Sequence, residues 1–289
     1  MNLEEFYNKR YKIILLIPIL IFVISLIFIV SFYFKNGDIL RKDVSLSGGV
    51  SATAYVNKEV NINEVEAFLR NNIDDEIFVR TLVAIEGSGN GILIETNNQD
   101  YEKLKNVLEE NLKIDLNDEN FFVEQTGSNL GEDFYKQMIR AFIIAFVFIA
   151  IVMFIIFRKI VPSVAVIFSI LFDMIVTIAI IDLFNVRVSS AGISALLFLL
   201  GSSVDNNILL NTKMLKRKEG SLWERMLSAT KTGLTMIIIT LVAMAVAYIF
   251  SESFMLKQMF GIIFIGLIVD IISTYGMNSG IIKWYVERK

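Results

Sequence analysis

The sequence contains no histidine and no cysteine. Without them there is no imidazole general base, no Ser-His-Asp triad, no thiol nucleophile, no structural zinc site, no histidine-ligated haem and no disulfide. Proline occurs only twice, so helices can run long without interruption. Charge is also scarce. Charged residues make up 20% of the 289 positions and hydrophobic ones 55%, against about 25% and about 45–50% in soluble globules. The surplus apolar residues are gathered into uninterrupted runs, the mark of a chain that crosses a membrane.

The first run, Ile13 to Phe34, has the roughly 20 residues needed to cross a ~30 Å hydrocarbon core. Lys9, Arg10 and Lys12 precede it, and no small-residue cleavage site follows. It reads as an uncleaved anchor, with Pro18 in its first turns. Five further runs follow: Met138–Phe157, Ile160–Phe184, Val188–Leu210, Thr232–Phe250 and Met255–Met277. Arg158 to Pro162 leaves only a tight turn between the first two of these. The expected fold is a polytopic α-helical membrane protein with six transmembrane helices.

Between the first and second runs lies a polar stretch, Lys35 to Lys136. Val50–Val56 reads as a strand after Gly48-Gly49, and Ile62–Asn72 as a helix capped by Asn61. Ile77–Ile85 and Gly91–Thr96 read as a hairpin around the turn Gly87–Gly91. Asp100–Leu112 carries Tyr101, Leu104, Val107 and Leu108 at helical spacing, and Asn120–Gln125 is a last strand. The order β-α-β-β-α-β is the split βαβ, or ferredoxin-like, arrangement. Three units are therefore expected: 1–36, a cytoplasmic N-terminus and first transmembrane helix; 37–135, an external ferredoxin-like α/β domain; and 136–289, a five-helix transmembrane bundle with a cytoplasmic C-terminus.

Orientation follows from Lys and Arg beside the runs. With the N-terminus inside, cytoplasmic segments hold Lys9, Arg10, Lys12, Arg158, Lys159, Lys213, Lys216, Arg217, Lys218, Arg225, Lys231, Lys283, Arg288 and Lys289. The two short external loops hold only Arg187 and Lys257. The polar stretch is then external. From Lys35 to Gln137 it carries 20 acidic and 10 basic residues, which does not suit binding to nucleic acid or anionic lipid.

Three carboxylates interrupt the apolar runs: Asp173, Asp205 and Asp270. A central intramembrane aspartate costs about 2.5–3.5 kcal/mol on insertion scales and is normally kept for a pathway, a relay or a pairing role. Asp182, near a run's end, reads as interfacial. Asp205 has the richest setting, Gly201-Ser202-Ser203-Val204-Asp205-Asn206-Asn207. Ser202, Asp205 and Asn206 fall at i, i+3 and i+4, so one face is expected to gather all three. An ionisable group among hydroxyls and amides can hold a proton or a cation and release it when packing shifts. The alternative is a polar helix–helix seam. Asp205 with Asn206 and Ser202 is the expected ion-coupling set, and Asp173, Asp270 and Lys231 a possible relay. Lys231 also suits snorkelling towards the cytoplasmic interface. Gly87-Ser88-Gly89-Asn90-Gly91 lacks the Lys-Ser/Thr of a P-loop, so no nucleotide is expected, and neither a cofactor nor a metal.

The order of one span, an external ferredoxin-like domain and five spans resembles the SecF family of the SecDF protein-export complex, a branch of the resistance-nodulation-division superfamily. Leu46-Ser47-Gly48-Gly49 is similar to the family's D-F-x-G-G motif, with Ser45 and Leu46 where that motif has Asp and Phe. Ser203 to Ile208 resembles the fourth-span motif bearing the family's proton-linked aspartate, in the Asp-first order of archaeal-type members. Gly266 to Asp270 followed by Trp284-Tyr285 is similar to the archaeal last span. Where the family has an arginine near the start of the fifth span, Lys231 is the nearest cation. The resemblance implies a non-enzymatic membrane subunit, paired with a SecD-like chain. It would assist polypeptides leaving the Sec channel, coupled to a proton gradient and surrounded by membrane lipid. Two other classes fit the pattern less fully: a small-molecule or lipid exporter of the same superfamily, and a non-transporting Sec assembly factor.

Overall fold

The computed structural model describes residues 3–56, 60–73, 77–82, 90–98, 100–216, 219–251 and 253–288. Among these, six helices are long and apolar enough to cross a membrane. They are α1 (Leu3–Asn36), α5 (Ser128–Phe157), α6 (Ile160–Leu183), α7 (Ser190–Lys216), α8 (Leu222–Phe250) and a last helix starting with α9 (Phe254–Ile271). This last helix continues through a π-helical segment (Ile272–Asn278) into α10 (Ser279–Glu287). In lipid each helix satisfies its own backbone groups, and so such segments are helices rather than strands. The chain is a multi-pass membrane protein.

These helices are inside out relative to a soluble core. Ile17, Ile27, Phe148, Ile155, Ile239 and Phe250 on α1, α5 and α8 are exposed, whereas Ile170, Phe172, Leu199, Leu200 and Leu267 on α6, α7 and α9 are buried. The inner helices are also the polar ones. Asp173, Ser203, Asn206, Asn207, Asn211, Asp270 and Asn278 are all at most 3% exposed. Helix–helix association in lipid lacks a hydrophobic driving force and uses small and polar contacts instead, which is where this chain places them.

Several helices outrun the apolar runs that mark them in sequence. α5 starts ten residues before Met138, α8 starts at Leu222, and the last helix runs on to Glu287. Polar first turns account for this. Ser221 and Glu224 form a reciprocal capping box on α8, satisfying two backbone donors with residues that hydropathy does not register. Pro18 leaves α1 unbroken and lies against Gly276 of the π-helical segment.

The polar stretch between α1 and α5 contains α2 (Val44–Ser47), β1 (Gly49–Val56), α3 (Ile62–Asn72), β2 (Ile77–Leu82), β3 (Asn90–Thr96), α4 (Tyr101–Leu112) and β4 (Phe121–Thr126). The strands form one sheet in the order β2-β3-β1-β4 with every pairing antiparallel. Asn61 caps α3 and Asp100 caps α4. One sheet face, with Ala52, Ala54, Ile92 and Ile94, buries Val65 and Leu69 of α3 and Leu104 and Leu108 of α4. The expected turn at 87–91 and the end of the strand expected over 77–85 lie largely outside the described residues.

The glycine pair after α2 has a geometric reason. Gly48 ends α2 at φ 81° and Gly49 opens β1 at φ 125°. A Cβ on Gly49 would strike the Thr96 carbonyl oxygen. A Cβ on Gly131 would come within 2.8 Å of the Gly48 nitrogen, so the first turn of α5 crosses directly over this corner. Gly49→Ala should therefore cost about 1–3 kcal/mol through backbone strain alone, with the clash in addition. Gly127→Ala, where φ is ordinary and nothing lies within 4 Å, should be neutral. Thermal unfolding of the purified full chain checks both.

Candidate functional site

The polar side chains of the inner helices converge on two aspartates. Asp173 sits mid-way along α6 and Asp270 one residue before the end of α9. Their carboxyl groups interact with each other. Ser203 Oγ donates to Asp173 Oδ2 at 2.5 Å. Asn206 Nδ2 donates to Asp270 Oδ2 at 2.5 Å, and Thr274 Oγ1 donates to Asp270 Oδ1 at 2.8 Å. Among the described residues no lysine or arginine is ion-paired with either aspartate. Nor does any group of three or more acidic side chains converge to hold a metal. The arrangement thus joins two carboxylates to neutral donors within an apolar bundle.

A ladder of amides extends from this pair. Asn207 Nδ2 reaches the Ser203 backbone carbonyl at 2.9 Å and Ser203 Oγ at 3.2 Å. Asn278 Nδ2 donates to Asn207 Oδ1 at 2.6 Å and to Asn211 Oδ1 at 3.0 Å. Asn211 Nδ2 then reaches the Pro162 carbonyl at 3.4 Å, in the first turn of α6. The ladder therefore leads from the carboxylates towards the end of the bundle opposite the sheet.

The last helix widens to π geometry immediately after Asp270, over Ile272–Asn278. Such segments inside α-helices often mark functional sites. Here the π turn carries Thr274 to Asp270 and Asn278 to the α7 amides. It also carries the Tyr275 hydroxyl into the space a Cβ on Gly233 of α8 would fill.

The expected coupling face needs correction. Neighbours on a helix are about 100° apart, and the structure divides Asp205 from Asn206. Asn206 points inward to Asp270. Asp205 lies on the exposed side of α7, in line with Ser194, Phe198 and Gly201. Ser202 is half-buried, and the serine that reaches a carboxylate is Ser203. Lys231 is exposed on α8 and takes no part in the pair. Asp182, expected at an interface, is 2% exposed at the end of α6. Asp173 and Asp270, expected as a relay, are brought together. Ser203, Asn207, Asn211, Thr274 and Asn278 were missed. The signal was present: Ser203, Asn206, Asn207 and Asn211 recur at i, i+3, i+4 and i+8, a tighter helical stripe than the one built around Asp205.

Residues 105–288 match the family model described as protein export membrane protein SecD/SecF, C-terminal. The chain is 32% identical to the protein-export membrane protein SecF of Pyrococcus furiosus, covering 96% of this chain and 92% of that protein. It is 35% identical to the SecF of Methanocaldococcus jannaschii, covering 97% of each. The crystal structure of SecDF, a translocon-associated membrane protein from Thermus thermophilus, superposes with a TM-score of 0.75 at 16% identity. That match covers 98% of this chain and 38% of the SecDF chain. At such identity the likeness is one of fold.

Proposed function

The chain belongs to the SecD/SecF family of protein-export membrane proteins, and on that premise we propose that it is a SecF-type accessory subunit of the Sec translocation machinery. It works beside a SecD-type partner and helps polypeptides out of the Sec channel. The observation that carries this reading is near-full-length similarity to SecF proteins of several archaea. The chain spans 38% of the solved SecDF chain, which leaves room there for a second half. The termini are cytoplasmic, and the sheet with its two helices forms an external ferredoxin-like domain, in keeping with the bias of Lys and Arg along the sequence.

The buried carboxylate pair is the ion-coupling centre. Two carboxylates in an apolar bundle, without a cation, cost least when they share a proton. Loss of that proton changes which donors they need. Ser203 and Asn206 both lie on α7, so a change of charge at the pair pulls on one helix. Asp205, exposed on that same helix, is the group this half offers to its SecD-type partner. An intramembrane carboxylate facing outward needs a polar partner.

Two experiments test this reading. Affinity purification from native membranes in mild detergent should return a second polytopic chain of SecD type. Recovery of this chain alone, across several mild solubilisation conditions, would reject the pairing. Because the chain has no cysteine, single introduced thiols report orientation cleanly. Asn106→Cys on α4 should react with a membrane-impermeant maleimide in intact cells, and Glu219→Cys, exposed just before α8, only after the membrane is opened. The reverse pattern would reject the topology.

A further inference from the structure

The sheet's second face rests on the bundle through the loop between α6 and α7. Val188 in that loop bridges to Lys42. Its N–H donates to the Arg41 carbonyl at 2.6 Å, and its carbonyl accepts from the Asp43 N–H at 3.1 Å. Ser190 N, at the start of α7, donates to Ser45 Oγ at 2.9 Å. Arg80 of β2 donates to the Asn185 carbonyl at 3.0 Å. Gln258 of α9 holds the same loop from the bundle side, donating to the Arg187 carbonyl and accepting from Ser189 N.

Glu95 of β3 lies inside this seam and is 2% exposed. Strand alternation sets it on the face opposite Ile92 and Ile94, towards the loop. Its carboxylate is 3.5 Å from the Arg187 guanidinium. The Phe78 ring packs against two guanidinium groups, Arg80 at 4.4 Å and Arg187 at 4.5 Å from its centroid. The charged groups acting on Glu95 are thus Arg187 from the loop, Arg80 from β2 and Asp43 from the cap of α2. Asp43 in turn feels Glu124 of β4, and Arg80 feels Arg41.

We propose that Glu95 is a proton-operated latch between the sheet and the membrane helices. Protonated, it lets the sheet seat on the α6–α7 loop; charged, it loosens the seat. Burial is the largest influence and Asp43 adds to it; Arg187 and Arg80 oppose both, and the carboxyl ends at about 7 against an ordinary 4.5. The sign follows from linkage. A released sheet would return Glu95 to water and its ordinary value, so the seated state binds the proton more tightly. Seating is therefore fully favoured below pH 4.5, weakens as pH rises to about 7, and is weakest above that. The full swing is on the order of a hundredfold in the seating equilibrium. α7 starts at Ser190 directly after the loop and carries Ser203 and Asn206. The latch is thus one rigid helix away from the carboxylate pair.

Spin labels on Asn106→Cys of α4 and Leu183→Cys at the end of α6 measure the seating in the full chain in lipid. The wild-type background should give its narrowest distance distribution at pH 4, broadening between pH 4.5 and about 7. Glu95→Gln, a permanent stand-in for the neutral acid, should stay narrow up to pH 8.5. Arg187→Met removes a positive charge that steadies the charged carboxylate in the seat, so it should match the wild type at pH 4 and broaden further than the wild type at pH 8.5. A wild-type distribution that does not change between pH 4 and 8.5 overturns the proposal. So does a Glu95→Gln chain that retains the wild-type transition. If Glu95→Gln does not assemble, Arg187→Met decides alone: a distribution broader than the wild type at pH 8.5 but not at pH 4 supports the latch, and any other result overturns it.

Discussion

Asp270→Asn should leave the chain inserted and paired, yet lower export under an imposed proton gradient on the order of tenfold or more, the scale of a typical coupling free energy. Asparagine keeps the size of aspartate and one acceptor oxygen for Thr274 Oγ1. The amide it introduces would face Asn206 Nδ2. Asn206 can turn its own carbonyl to meet it, because an amide offers both a donor and an acceptor. Packing therefore survives, and what is lost is titration. Asp173→Asn should act in the same direction, with Ser203 Oγ retaining an acceptor. Asp205→Asn should have the smaller effect on this chain by itself, since Asp205 is exposed and outside the cluster. Reconstituted vesicles with the partner chain, measured with and without a gradient, separate these cases. Wild-type export by Asp270→Asn beside a loss in Asp205→Asn would move the coupling centre to the partner interface.

Asn278→Leu should be the most destabilising single change in the bundle, by about 2–4 kcal/mol. It removes the donor to both Asn207 Oδ1 and Asn211 Oδ1. Each intramembrane hydrogen bond is worth about 0.6–2 kcal/mol, and each buried acceptor left alone costs about 1–3 kcal/mol, part of which the two amides recover by turning. Leucine also brings branched bulk to a position with no exposure. Leu256→Ala, at an exposed position on the same long helix, should cost little. Denaturation in mixed micelles reads the difference. An Asn278→Leu chain as stable as the wild type would show that the amide ladder contributes nothing to packing.

Much of the architecture was legible because it depends on quantities that a sequence carries directly. A membrane span is a length of apolar chain, and all six are visible as runs. The strands and helices of the polar stretch were visible from alternation, helical spacing and the caps Asn61 and Asp100. Helix ends were less visible, as at α5 and α8. Their first turns are polar; that of α8 is held by its capping box and that of α5 by contact with α2, neither of which adds to hydropathy.

The functional cluster divides in the same way. That aspartates at 173, 205 and 270 are costly in lipid follows from their place in apolar runs alone. Which two of them meet did not follow. Asp173 and Asp270 are 97 positions apart in the sequence. They are joined because α6 and the last helix pack on opposite flanks of one α7 face, bringing Ser203 to one and Asn206 to the other. The rotation of α7 that turns Asn206 inward turns Asp205 outward. That rotation is set by the long-range contacts of Leu199 with Gly266 and of Asn207 with Asn278. The sequence by itself determined the spans, their polar interruptions and the strand order. The tertiary structure alone decided which carboxylates form a pair and which one faces outward, because helical phase is fixed by packing between helices and not by the order of residues along any one of them.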